Sequence, residues 1–467
     1  MAIKIPCIRM NDTDSQYNII DFGAKTGQNV DPLDNSKAIQ SAIDRSYDSG
    51  GGNVVVPKNC IVIVAPFDLK SNINFHLEQG SEIIASPDET HYLRSAFKEN
   101  TQEGNIWISA ENVKNLSLTG TGTFNGNGTA FMGPEREAAF ELKPFKDFDR
   151  RPHMFTLIGC KNLRIEDIHL KDSAYWGIHL VGCENVVIKN LKIHNNLKIR
   201  NSDGIDIDHS QNVQISDCII ESGDDSICLK NRREYSEFGP CENIRVKNCT
   251  MTSRSCAFKI GSENVNVIKD LKVENCKIIN SNRGIGIQNR DEGCVEHLIF
   301  KNIKVECRLF DEVWWGKAEP IYLTAFKRAK TKNKDGDLRF ALGQTEGKVG
   351  TIKDVNFINC ACQSENGIYV SGEPNKIDGI CFEKVKVTLN KFTSFPGGLY
   401  DRRPCELDGF IKAPTSGFYI DTAKNVAIKN CEVIWGQNKP DYYKDAVASK
   451  NVQDLVVASL KEKTLKK

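Results

Sequence analysis

The middle of the chain repeats one short phrase of alternating apolar and polar positions. Asn162-Leu-Arg-Ile, Asn185-Val-Val-Ile, Asn212-Val-Gln-Ile, Asn243-Ile-Arg-Val, Asp270-Leu-Lys-Val and His297-Leu-Ile-Phe are versions of it, with later copies at Asp354 and Asn425. The first six start about 23, 27, 31, 27 and 27 residues apart, a solenoid period. Each copy is short, rich in β-branched residues and bounded by Asn, Gly or Ser, which predicts a strand. Helical periodicity is missing between the copies. The pattern therefore predicts an all-β parallel β-helix rather than a repeat of strands and helices.

The apolar positions also set a register. One inward column reads Ile178, Ile205, Ile227, Phe258, Ile285, and the next reads Leu180, Ile207, Leu229, Ile260, Ile287. Strand side chains alternate faces, so the positions between these columns point outward. That outward column is His179, Asp206, Cys228, Lys259, Gly286. The turn position just before the strands reads Trp176, Asp203, Asp225, Cys256, Arg283.

The ends and two interior stretches depart from the repeat. Ala38, Ile39, Ala42 and Ile43 fall at helical spacing within residues 35–48, and Gly50-Gly51-Gly52 ends the run. A short amphipathic helix there plugs the open apolar end of the coil. The whole chain, 1–467, is expected to be a single domain: a cap over 17–60, coils over 61–455, and a solvated tail over 456–467. Long loop insertions are expected near 310–350, with Trp314, Trp315 and a Lys-rich stretch, and near 391–416, with Pro396-Gly397-Gly398 and Arg402-Arg403-Pro404. Such excursions often build a binding groove.

Charge narrows the function. A net charge of +1 offers no basis for a nucleic-acid or anionic-membrane partner. No apolar run reaches transmembrane length. The opening MAIKIPCIRM lacks the continuous apolar core of a signal peptide, which points towards a cytoplasmic protein. Of the 17 cysteines, Cys218, Cys249, Cys276, Cys360 and Cys431 recur at one point of the phrase, where cysteine acts as a small buried apolar residue. Cys360-Ala361-Cys362 is too tight for the usual zinc spacing, so no metal is expected.

The chemistry concentrates in Asn201-Ser202-Asp203 and Gly223-Asp224-Asp225. Asp203-Gly-Ile-Asp-Ile aligns with Asp225-Ser-Ile-Cys-Leu, so consecutive coils would stack Asp203 on Asp225 at roughly 4.8 Å, with Asp224 beside them. Three carboxylates that close do not all ionise; one holds a proton near neutral pH. A glycosidase needs such an acid and base in one place. Asp206 and Asp208 read equally well as members of a turn-capping ladder.

Taken together, these motifs resemble glycoside hydrolase family 28, the polygalacturonase family. The resemblance starts at Asp21-Phe22-Gly23-Ala24, continues through Gly50-Gly51-Gly52 and Val54-Val55-Val56-Pro57, and includes Arg151-Pro152 and Ser173 to His179. It implies a right-handed, pectin-lyase-like solenoid and an inverting mechanism without a cofactor. Asp224 would be the general acid, and Asp203 and Asp225 would hold and activate the water. It also implies a polysaccharide or oligosaccharide substrate and a periplasmic or secreted role.

The chain departs from the family at two later motifs. Ser253 to Ser262 stands in place of Gly-His-Gly and holds no histidine, and Gly286-Ile287-Gln288 stands in place of Arg-Ile-Lys. Lys259 and Arg290 are the candidate replacements for the missing cations, and the ion pairs expected otherwise are Lys259 with Asp206 or Glu263 and Arg290 with Asp291 or Glu292. His179 is a candidate donor to sugar. Trp176, Trp314 and Trp315 are candidate stacking platforms, with loop anchoring as the other reading of the Trp pair. Lys317, Glu319, Tyr400, Arg402 and Arg403 are candidates for distal subsites. The long inserts point to exo action on a galacturonide or rhamnogalacturonan-type glycan. Two other functions fit the same fold: a β-elimination lyase using Lys259 or Arg290 as base with calcium on the aspartates, and a glycan-binding protein without turnover.

Overall fold

The computed structural model describes residues 15–27, 29–98, 103–144, 150–328 and 348–465 of the 467. They fall in two compact units, Met1–Gly223 and Asp224–Lys467. The fold is a right-handed parallel β-helix with an N-terminal capping helix. No helix among the described residues is long and apolar enough to cross a membrane.

In the first unit the cap is a helix over Pro32–Asp48. It begins three residues before the apolar spacing does, because Asp31 caps it and Pro32 fits its first turn. The Asp31 carboxylate accepts the Leu33 N–H at 2.9 Å. Ala38, Ile39, Ala42 and Ile43 are buried. Ser36 Oγ donates to the Ala65 carbonyl and Asn35 Nδ2 to that of Ile63, which fixes the helix to the first coils.

The coils follow the expected register within each unit. In the first, Phe155 pairs with Ile178, and Ile178 with Ile205. In the second, Ile227 pairs with Phe258, then Ile285, then Ile321. The asparagine that opens each phrase has two jobs. Asn162, Asn185 and Asn212 sit at φ near 60°, a left-handed turn that asparagine tolerates better than most residues. Their amides also donate from coil to coil: Asn162 to Asn115, Asn185 to Asn162, Asn212 to Asn185, at 3.0–3.2 Å. Inside the second unit, Phe300, Phe357 and Phe382 stack with ring centres 5.1 and 5.3 Å apart. Cys218, Cys249, Cys276, Cys360 and Cys431 are buried and in no disulfide.

Two stretches differ from expectation. The stretch expected to be an insertion, 310–350, contains a coil strand, Ile321–Ala325, paired on both sides. Most of its Lys-rich part lies outside the described residues. The segment expected to be a tail is a further coil: Val447–Ala458 pairs with Phe418–Lys429, and Lys461–Thr464 with Glu432–Trp435. Lys461, Glu462 and Lys463 are exposed along the last strand, which is why the segment suggested a solvated tail. The 391–416 insertion holds an antiparallel hairpin of Leu399–Asp401 and Phe410–Lys412.

Candidate active site

Each motif is held rigid by its own neighbours. In the first unit, Ser202 Oγ donates to the Ile199 carbonyl at 2.7 Å and accepts the Gly223 N–H at 3.0 Å. A Cβ on Gly223 would lie 2.1 Å from the Ile199 oxygen and 2.6 Å from Ser202 Oγ, so no other residue fits there. Asn195 Nδ2 donates to the carbonyls of Ser202 and Asp203. Arg151, buried, donates to the Ala174 and Arg200 carbonyls and to Asn201 Oδ1. Asp203 is buried at the end of this braced turn.

The second unit presents Asp224 and Asp225. The Asp224 carbonyl accepts the Ser253 hydroxyl at 2.5 Å, and Asp224 is half-buried. Asp225 is buried, and its Oδ2 lies 2.7 Å from Lys259 Nζ. Burial pushes the Asp225 carboxyl above its ordinary value; Lys259 pulls against this, and Asp224 adds to it. For Lys259, burial disfavours the charge, but the Asp225 carboxylate outweighs it and holds the ammonium protonated. Asp225 Oδ1 is buried and has no hydrogen-bond partner among the described residues.

The remaining candidates sort by what covers them. Within its unit Lys259 pairs with Asp225 rather than with Glu263. Arg290 is fully buried. It donates to the carbonyls of Pro404, Asn289, Thr324 and Arg402 and to Thr324 Oγ1, so it anchors the 391–416 insertion and has no surface for substrate. His179 is buried against Asp208, with Nε2 3.3 Å from Oδ2, and its ring meets those of His153 and Trp176. Trp176 is buried with Ala96, Phe97, Ile106 and Tyr175, so it is no open platform for a sugar.

The second unit's inserts are fastened in the same way. Glu319 is buried against Arg283, Tyr400 stacks on Tyr369 at 4.3 Å, and Lys317 Nζ lies buried 4.8 Å from the Phe410 ring centre. Trp314 is buried, which favours the anchoring reading. Trp315 stays half-buried with the Arg403 guanidinium over it at 5.9 Å. Arg402 is also half-buried; its Nε donates to Tyr369 Oη at 2.8 Å. The space opened by Gly286 is taken by Cys256 and Arg283, which a Cβ there would meet at 2.7 and 3.0 Å. Sequence reasoning passed over Arg151's bracing role and over Arg254 and Arg308; the one signal for the last two was their place directly after the strands Thr250–Ser253 and Lys304–Cys307.

A sequence model of the family described as "Glycosyl hydrolases family 28" matches residues 53–307. The chain belongs to glycoside hydrolase family 28. Among family relatives, polygalacturonase-2 of Solanum lycopersicum is 26% identical over 68% of this chain and 66% of its own. The exopolygalacturonase of Cochliobolus carbonum is 27% identical over 55% of each. The chain thus spans about half to two thirds of the length of these family 28 relatives. The fold matches the family 28 exopolygalacturonase of Yersinia enterocolitica with a TM-score of 0.66 at 17% identity, over 96% of this chain and 78% of that one.

Proposed function

We propose that this chain is an inverting glycoside hydrolase that cleaves a pectic glycan, of galacturonide or rhamnogalacturonan type, from a chain end. The observation that carries the reading is the Gly223-Asp224-Asp225 motif with Asp225 buried against Lys259 in a family 28 chain. In this reading 1–467 works as one domain, and Asp203 acts together with Asp224 and Asp225. Asp224 gives its proton to the glycosidic oxygen as the bond to the anomeric carbon breaks. A water held by Asp203 and Asp225 attacks that carbon from the opposite face and passes its proton to the carboxylate. Asp225 suits the base role because Lys259 keeps it ionised while its raised pKa strengthens it, and its Oδ1 is open to accept.

Two features support exo action. One is the exopolygalacturonase among the relatives. The other is the Leu399–Asp401 hairpin strand, whose Tyr400 packs over Tyr369 in the outward column beyond Gly286 and closes that face. The lyase alternative loses its bases, since Lys259 is held protonated and Arg290 is enclosed by carbonyls. A secreted or periplasmic setting goes with the proposed substrate.

The test incubates wild type and Asp224→Asn with oligogalacturonides, rhamnogalacturonan oligosaccharides and pectic side-chain glycans. Products are read by mass and by the anomer first released. A hydrolytic product of inverted configuration, absent with the variant, is expected. An unsaturated product, or none from any fragment, would overturn the reading.

A further inference from the structure

Two arginines converge on one phenylalanine beside the turn that carries Asp224. Strands Thr250–Ser253, Lys277–Ser281 and Lys304–Cys307 stack in parallel, with Ser281 opposite Cys307. Arg254 directly follows the first strand and Arg308 the third. At about 4.8 Å per strand, their backbones stand roughly 10 Å apart. Their side chains close that gap. The Arg254 guanidinium carbon lies 4.3 Å from the Phe310 ring centre, and that of Arg308 lies 5.5 Å from it. Phe310 is buried and both arginines are half-buried.

Gathering like charges costs free energy. Burial, and then the charge of Arg308, push the Arg254 guanidinium down to about 10. Arg308 Nη1 donates to Asn280 Oδ1 at 3.3 Å, and its Nε is buried without a hydrogen-bond partner among the described residues. The carboxylate that accepts the nearby Leu309 N–H, Glu365, is already engaged by Lys391 and by Phe392 and Thr393. The shelf is also tied to the catalytic turn, since Ser253 bonds both the Asp224 carbonyl and the Ser255 N–H.

We propose that Arg254 and Arg308, held by Phe310, form a subsite for the carboxylate of a uronate unit in the substrate. This rests on the hydrolase reading above. The subsite lies at the turns after Thr250–Ser253 and Lys304–Cys307, apart from Gly286-Ile287-Gln288, where the chain lacks cations. A guanidinium pair takes a planar carboxylate through charge-assisted hydrogen bonds and gains nothing from its ester. The enzyme then selects free acid over esterified or neutral glycans.

The experiment compares trigalacturonate with its fully methyl-esterified form in wild type, Arg308→Gln, Arg254→Gln and Arg308→Lys. Loss of one charged hydrogen-bond donor is expected to raise KM for trigalacturonate at least about tenfold. Less change is expected in kcat, none in KM for the ester, and partial recovery in Arg308→Lys. A normally folded Arg308→Gln with unchanged KM, or with equal loss on acid and ester, overturns the subsite. If the Gln variants do not fold, the salt dependence of wild-type KM decides: a rise with ionic strength for the acid alone supports the subsite, and a flat profile sinks it. Calorimetric binding of trigalacturonate to Asp224→Asn, with and without Arg308→Gln, separates the two readings. Arginine-dependent binding without wild-type turnover would leave the subsite and remove the hydrolase, whereas turnover that ignores the arginines would do the reverse.

Discussion

Lys259 Nζ and Asp225 Oδ2 stand 2.7 Å apart, both side chains buried, on adjacent coils of one face. The pair gives a buried carboxylate a fixed counter-ion. Removing the ammonium leaves a buried anion, so Asp225 holds its proton to higher pH. In Lys259→Met the acid limb of kcat/KM is therefore expected to move up in pH. Breaking such a pair also costs about 3–5 kcal/mol of stability. A pH–rate profile checks this; a rise in KM with an unmoved acid limb would mean that Lys259 serves substrate instead.

Asp224→Asn keeps the size of the side chain and removes the transferable proton. Its kcat is expected to fall by about 10²–10⁴, with thermal unfolding close to wild type, because the hydrogen bond from Ser253 that braces the turn goes to the Asp224 carbonyl, which the variant keeps. Rates on a substrate with a good leaving group, which needs less protonation, should suffer less.

Arg290 bridges its own strand to the 391–416 insertion. Arg290→Met leaves several buried carbonyls without donors, at a cost on the order of 3 kcal/mol. The first protease cut is expected to move into residues 391–416, while the coil strands resist. Cleavage spread evenly along the chain would contradict the anchoring role.

Asp401 makes the same insertion sensitive to acid. Burial works to raise its carboxyl, but Arg403, Arg283 and the Gly316 N–H outweigh it and hold it below the ordinary value. A depressed carboxylate contributes stability that is complete above the unfolded value of about 3.9 and is lost as pH falls through the folded one. Protease sensitivity of 391–416 should therefore rise only below about pH 4. In Asp401→Asn it should be high already at neutral pH.

The amide ladder gives a test away from the site. Asn185→Ala forfeits hydrogen bonds to Asn162 and Asn212 and places a less tolerant residue at φ 60°. The expected loss is about 2–3 kcal/mol. Asn185→Gly should recover the backbone part alone, and equal melting of the two variants would remove the conformational half of the argument.

The two inward columns were legible because period-two alternation states which face a residue takes, and inside a coil one face has one fate. The outward face carries no such guarantee. His179 points out of its sheet and Trp176 sits at the turn before it, as expected, yet Phe97, from a segment far earlier in the chain, covers Trp176, and the rings of His153 and Trp176 meet His179. Arg290 likewise looked free until the 391–416 insertion closed over it. Periodicity is local, and what roofs a face is set by chain more than 70 residues away in the first case, as the 72-residue reach of Tyr175 to Glu103 shows, and by 114 in the second. The Asp motifs were visible because each turn is built from its own neighbours, Ser202 with Gly223 and Asp224 with Ser253.

Those long reaches bear on the order of assembly. Arg283 meets the Asp401 carbonyl across 118 residues, and Arg290 meets that of Pro404 across 114. Coil-to-coil pairs such as Asn185 with Asn162 close loops of only 23 residues. Loop closure must precede the contacts that reward it. During synthesis the coils are thus expected to stack in sequence behind the ribosome. Both arginines would then wait as buried-to-be cations until the hairpin has emerged, so a chain stalled before residue 401 would present stacked coils as far as Lys386–Leu389 with Tyr322 and Tyr369 unroofed.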